Sequence, residues 1–322
     1  VNAPTPVDIS SRTQELSRAD GPMLDFVCPS CHTPLSGVPD GWHCQVEQIS
    51  FAREEGIPSF ILPQRRAAVE RFLADYRQVR RAEGWGDEST LYYRDLPYRD
   101  RSGRFRQIWR LRARSFDCFL DHLLQQTAGR HARVLDVGAG NGWCAARLAE
   151  HGLSLVALDI NLDPLDGLGA LGRTGGKIST VRADFDALPF APSTFDVVVF
   201  NASLHYSPDI LRTLGHAFRL LRDRGIVYIV DSPIYDDSGS GSSMLRERRE
   251  TVRDRFGIAL ADDSPGSFLT TDLLREIPST LQVEILSPRY GLRWQLRPLL
   301  ARALRRRSPA AFKVIAVRKV HS

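Results

Sequence analysis

Val134-Leu135-Asp136-Val137-Gly138-Ala139-Gly140-Asn141-Gly142 reads as an apolar strand, a glycine turn and the start of a helix. Glycines in such a turn take positive φ and let the backbone approach a ligand closely. A helix start adds free N–H groups and a partial positive charge. The next apolar run, LSLVALDI (153–160), brings Asp159 to a strand end 19 residues after Gly140. An acidic side chain there can accept two hydrogen bonds from a ribose diol. STVRAD (179–184), FDVVVFNA (195–202) and GIVYIVD (225–231) are three further strands, and 208–222 has an amphipathic helical pattern. Strands alternating with helices imply βαβ units and a parallel sheet covered on both faces. LQVEILS (281–287) and AFKVIAVRK (311–319) lack a strong helix between them and suit an antiparallel pair at one edge. SGSGSS (238–243) reads as a flexible loop.

The 322 residues are 43% hydrophobic and 25% charged, as in an average globular chain. This excludes a disordered, collagenous or disulfide-stapled chain and allows one large domain or two unequal ones. No apolar run reaches the ~18 residues of a membrane span, and the first twenty residues lack the apolar core of a secretory signal. The expectation is a cytoplasmic protein with no membrane partner. The net charge is +5, and arginine supplies 40 of the 43 basic residues, with clusters at 101–114 and 302–307. A basic balance raises RNA as a partner, but 38 acidic residues offset it.

The ligand at the glycine turn is not read as a dinucleotide. The fingerprint G-x-G-x-x-G/A would need a small residue where Trp143 stands. Asp136 is awkward beside a pyrophosphate and suits an ammonium. S-adenosylmethionine carries an ammonium, a sulfonium and a ribose, and no phosphate. Asp184 and Phe185, after the third strand, suit an adenine amino group and ring. Asn201-Ala202-Ser203-Leu204-His205-Tyr206, after the fourth, points at the place of the methyl group.

VLDVGAGNG, LDIN, ADFDALPF and FDVVVFNASLHY, in this order and spacing, resemble the class I S-adenosylmethionine-dependent methyltransferases of the methyltransferase-11 or UbiE-like branch. The resemblance covers about residues 130–320. It implies an α/β, doubly wound, Rossmann-like sheet of seven strands with the last antiparallel. It also implies cofactor-binding roles for Asp136, Gly138, Ala139, Gly140, Gly142, Asp159, Ile160, Asp184, Phe185 and Asn201. The fourth strand does not end in the Asn/Asp-Pro-Pro-Tyr/Phe of amino-group methylases, and no Pro-Cys nucleophile is present. What remains is in-line transfer to an acceptor O, N or C, with rate from alignment. His205 is the candidate general base, and Tyr206, Asp231, Tyr235, Tyr92 and Tyr93 are candidate substrate contacts. Ser232–Asp272 is long enough to supply a lid. Tyr92, Tyr93, Tyr98, Trp109 and Arg114 precede the glycine motif, where the resembling family closes over its cofactor.

Cys28-x-x-Cys31 and, after twelve intervening residues, Cys44 make up most of a zinc ribbon. With GIPSFIL behind them they resemble the Trm112-like small domain. That domain's second C-x-x-C is incomplete here, with Glu47 at the partner position of Cys44, and His43, His32 or Glu47 is the candidate fourth ligand of a structural zinc. Cys118 and Cys144 read as buried thiols. The expected organisation is a tail (1–20), a ribbon module (21–64), a helical connector and cofactor cover (65–130) and a methyltransferase domain (131–322) with a lid insertion at 232–280. The expected activity is methyl transfer from S-adenosylmethionine to a small molecule, a secondary metabolite or glycan precursor. The alternatives are an rRNA guanine-N methyltransferase, since a cysteine ribbon joined to a methyltransferase also resembles those enzymes, and a non-catalytic protein recruiting a partner through its ribbon.

Overall fold

The computed structural model describes residues 24–128, 130–175, 177–260 and 268–320. The expected tail at 1–20 lies outside them. Four short antiparallel strands come first: β1 (Ser36–Val38), β2 (Gly41–Cys44), β3 (Ile49–Glu54) and β4 (Ile57–Pro58). Three helices follow, α1 (Pro63–Glu83), α2 (Thr90–Asp95) and α3 (Arg106–Gln126). The α/β part then runs β5 (Arg133–Val137), α4 (Trp143–Ala149), β6 (Ser154–Asp159), β7 (Ser179–Arg182), β8 (Phe195–Asn201), α5 (Ile210–Leu220) and β9 (Leu221–Val230). After it come β10 (Ile234–Tyr235), α6 (Ser238–Phe256), β11 (Leu269–Thr270), α7 (Thr271–Arg275), β12 (Leu281–Leu286), α8 (Leu292–Gln295), α9 (Arg297–Ala303) and β13 (Val314–Lys319).

Seven strands form one sheet in the order β12-β13-β9-β8-β5-β6-β7. β5 to β9 are parallel, and β13 is antiparallel to both β9 and β12. The sheet expected from the strand runs is therefore the one observed. The central strands are apolar on both sides because both faces are covered. Leu135, Val137 and Val198 pack on one side with Leu214 and Phe218 of α5. Val134 and Val197 pack on the other with Phe119 of α3 and Leu148 of α4. Strand order reverses between β5 and β8, so a crevice opens at their C-terminal ends.

The N-terminal sheet is attached to the β7 edge of the large one. Ser59 bridges Arg182 in parallel, and Phe60 N–H donates to the Arg182 carbonyl at 2.8 Å. Phe60 lies against Phe26, Trp42 and Phe51, and Cys28 and Cys44 share this core with the sheet. The buried Arg182 guanidinium is held by Glu54 and by Glu70.

Two local expectations change. SGSGSS is not a loop but the first turns of α6. Asp237 caps that helix, accepting from the Ser240 N–H at 2.6 Å, and a Cβ on Gly241 would stand 2.3 Å from the Phe268 ring. Glycine there permits close packing. Residues 84–103, whose Gly, Tyr, Pro and Asp content reads as a loop, contain α2.

Candidate active site

A cavity of about 600 Å³ lies at the C-terminal ends of β5, β6 and β8. Gly138, Gly140, Asp159 and Ile160 line its floor. Gly138 has φ +74°, and a Cβ on it would fall 2.4 Å from Ser203 Cβ. Gly140 has φ +55°, and a Cβ there would stand in open space. The Asp159 carboxylate accepts from the Gly140 N–H at 2.7 Å and the Asn161 N–H at 2.8 Å. Burial pushes its pKa up to about 6, against the pull of those amides. Asp184 and Phe185 form one side, and Ala202 to Pro208 include most of the far end.

The roof is α1. Val69, Phe72, Leu73 and Tyr76 face the cavity from above, and Leu245 and Arg249 of α6 complete it. A row of arginines ties α1 to the loop after β6. Arg77 Nε donates to Asn161 Oδ1 at 2.8 Å, Arg80 grips Asp166 through two bonds of 2.5 and 2.8 Å, and Arg81 reaches Asp163 at 3.1 Å. At the start of the helix Arg65 donates to Asp184 at 2.8 and 2.9 Å. The sequence carries the spacing of this helix, but nothing local assigns it as the roof.

His205 and Tyr206 line the far end, where Tyr206 packs on Phe72 and Tyr76. Burial and the nearby Arg112 and Arg248 hold the His205 pKa down to about 3. Its ring is neutral near pH 7, so it takes up a whole proton poorly.

Several expected contacts fall elsewhere. Asp136 is fully buried beneath the turn and does not line the cavity; burial and the Asp159 carboxylate push its pKa up to about 7. Its neighbours include the buried Cys144, beside Asn201. Neither Ala139, Gly142 nor Asn201 lines the cavity. Gly142 instead lets the chain pass Leu171, which a Cβ would meet at 2.3 Å. Asp184 does line it, though its carboxylate is engaged by Arg65.

Tyr92 and Tyr93 do not line the cavity. Both are buried on the outer side of the loop after β6, where Tyr93 donates to the Leu165 carbonyl at 2.8 Å, and α1 takes the covering place. Asp231 also leaves the cavity wall. It hydrogen-bonds Ser115, which lies 2.7 Å from the Tyr290 hydroxyl, and burial pushes its pKa up to about 6. Tyr235 is buried against Phe268 and Arg307.

In the N-terminal sheet the Cys28, Cys31 and Cys44 sulfurs lie within 4.8 Å of one another, a group that could hold a metal. No expected fourth ligand joins them. His43 is hydrogen-bonded to Ser50 at 2.9 Å. His32 faces Arg219 and His216. Glu47 contributes its backbone N–H to Cys44 Sγ at 3.3 Å. The Thr33 hydroxyl lies beside the thiols, 3.0 Å from Cys31 Sγ and 3.6 Å from Cys44 Sγ.

The family model described as methyltransferase domain matches residues 135–229, from the glycine turn through β9. The match and the strand order together mark an α/β, Rossmann-like methyltransferase sheet. The chain is 34% identical over 113 residues to the ubiquinone biosynthesis O-methyltransferase of Vibrio cholerae, covering 34% of this chain and 46% of that one. It therefore spans about half the length of that relative. It is 25% identical over 227 residues to the ubiquinone/menaquinone biosynthesis C-methyltransferase UbiE of Rhizobium leguminosarum, covering 60% of this chain and 83% of that one. Among solved structures, a putative sarcosine dimethylglycine methyltransferase from Galdieria sulphuraria is similar with a TM-score of 0.48 and 18% identity. It covers 76% of this chain and 98% of that one.

Proposed function

We propose that this methyltransferase domain transfers a methyl group from S-adenosylmethionine to a small or medium-sized acceptor, a secondary metabolite or glycan precursor, on O, N or C. The observation that carries the reading is the floor of the cavity, where the Asp159 carboxylate and the open backbone of Gly138 and Gly140 meet. When bound, the cofactor supplies an electrophilic methyl group. Asp159 would receive its ribose hydroxyls, Gly138 and Gly140 its amino-acid end, and Ile160 and Phe185 its adenine. A roof from α1 and α6 favours a small acceptor over a nucleotide within RNA. Phe72, Tyr76 and Tyr206 would exclude water and hold the acceptor in line, and alignment is a large share of such a rate. His205 would accept a hydrogen bond from the acceptor as a neutral ring.

The test is calorimetry with S-adenosylhomocysteine. Asp159→Ala is expected to bind about 10- to 100-fold more weakly, from the loss of charge-assisted hydrogen bonds, while thermal unfolding shows an intact fold. Affinity like that of the wild type would overturn the assignment.

We also infer that Cys28, Cys31 and Cys44 hold one structural zinc, because three convergent thiols suit a soft metal. Elemental analysis of the purified chain is expected to find zinc that Cys44→Ser loses. A metal-free chain whose stability chelators leave unchanged would exclude it.

A further inference from the structure

The connection from β12 to β13 carries a surface that methyl transfer does not use. α8 and α9 run into one another as one irregular helix, with N–H to C=O bonds of 3.0 Å from Leu296 to Leu292, Leu300 to Leu296 and Leu304 to Leu300. Leu292, Leu296, Leu299, Leu300 and Leu304 recur at i, i+4, i+7, i+8 and i+12, the spacing of one helix face. That face is turned outward: the five are 77, 49, 64, 57 and 61% exposed. The opposite face is the packed one, where Trp294 lies between Tyr290 and Phe312. A surface helix ordinarily buries its leucines, so an apolar stripe of this kind marks an interaction surface.

Charge identifies the occupant. Residues 287–313 hold eight basic residues and no Asp or Glu. Arg293, Arg302, Arg305 and Arg306 are exposed on this connection. A second copy of the chain would bring these arginines opposite themselves. RNA would pair with the arginines but leave the five leucines in water. An anionic bilayer satisfies both, taking the leucines at the acyl boundary and the arginines at its phosphates.

The topology also fits. Val314 of β13 pairs with Val230 at the C-terminal end of β9, so residues 287–313 emerge at the sheet edge where the cavity lies. No helix among the described residues is long and apolar enough to cross a membrane. The expectation of no membrane partner rested on the lack of a spanning segment, which does not bear on a peripheral contact.

We propose that the α8–α9 helix docks this chain on an anionic lipid surface, leucines inward and arginines at the headgroups.

The experiment is co-sedimentation of the full chain with phosphatidylcholine vesicles, with and without phosphatidylglycerol. Partition onto the anionic vesicles is expected, weakening as salt screens the arginines. Leu296→Asp with Leu300→Asp should abolish it. Arg305→Gln and Arg306→Gln should each weaken it about fivefold. These side chains are largely exposed, so an unchanged thermal midpoint is expected in the variants. Absence of partition onto anionic vesicles by the wild-type chain at low salt would overturn the proposal. So would partition unaffected by the leucine changes, RNA retention that survives them, or a dimer that they dissociate.

Discussion

The floor and the roof of the cavity are built by different forces. The floor is backbone: a glycine turn whose positive φ values and close passage under Ser203 leave no room for a Cβ at Gly138. The roof is side chains: α1 is held by Arg80 on Asp166 and Arg65 on Asp184, partners 86 and 119 residues away. A floor set by backbone conformation and by the contact of Gly138 with Ser203 tolerates little change at Gly138. A roof set by pairs of charges can be loosened one pair at a time.

Gly138→Ala should have the largest effect. Strain at positive φ and overpacking against Ser203 together cost about 4 kcal/mol. Urea denaturation should show the midpoint falling with an unchanged slope, and an unshifted midpoint would remove the steric account of the floor.

Arg80→Met is next. It leaves the Asp166 carboxylate buried without its cation, at about 3 kcal/mol. Denaturation should record that loss, and affinity for S-adenosylhomocysteine should fall with it. Lost stability with intact affinity would show that α1 is scaffold and not roof.

Asp136→Asn sharpens the contrast from beneath the floor. The folded-state pKa of Asp136 is raised from 3.8 to about 7. Its contribution to stability is therefore complete below the ordinary carboxylate range and lost as pH rises through about 7. Asparagine stays neutral, so the variant should gain on the wild type by about 2 kcal/mol between about pH 5 and pH 7. Parallel stability curves for the two proteins would show that Asp136 is charged in the folded state across that range.

The N-terminal sheet shows where local reading stops. The cysteine spacing brought Cys28, Cys31 and Cys44 together as expected. None of the expected fourth ligands joined them: β2 pairs His43 with Ser50 on β3, and the hydroxyl beside the thiols is that of Thr33. Asp136 was assigned to the ligand because it precedes the glycines. Strand alternation instead puts its side chain under the turn, on the side of the buried Cys144. Tyr92 and Tyr93 were assigned as cover from their place before the motif, a place that α1 occupies from further upstream.

The sequence by itself determined the strands, the glycine turn, the pairing of that turn with Asp159 and the antiparallel finish. Each rests on periodicity or on spacing within a few tens of residues, and hydrophobic burial and glycine conformation act over that range. Only the tertiary structure decided which helix roofs the cavity, which partner engages Asp184 and which face of α8–α9 is left outside. Those outcomes depend on charges and apolar faces brought together from far apart in the chain, and no local pattern encodes which distant group arrives.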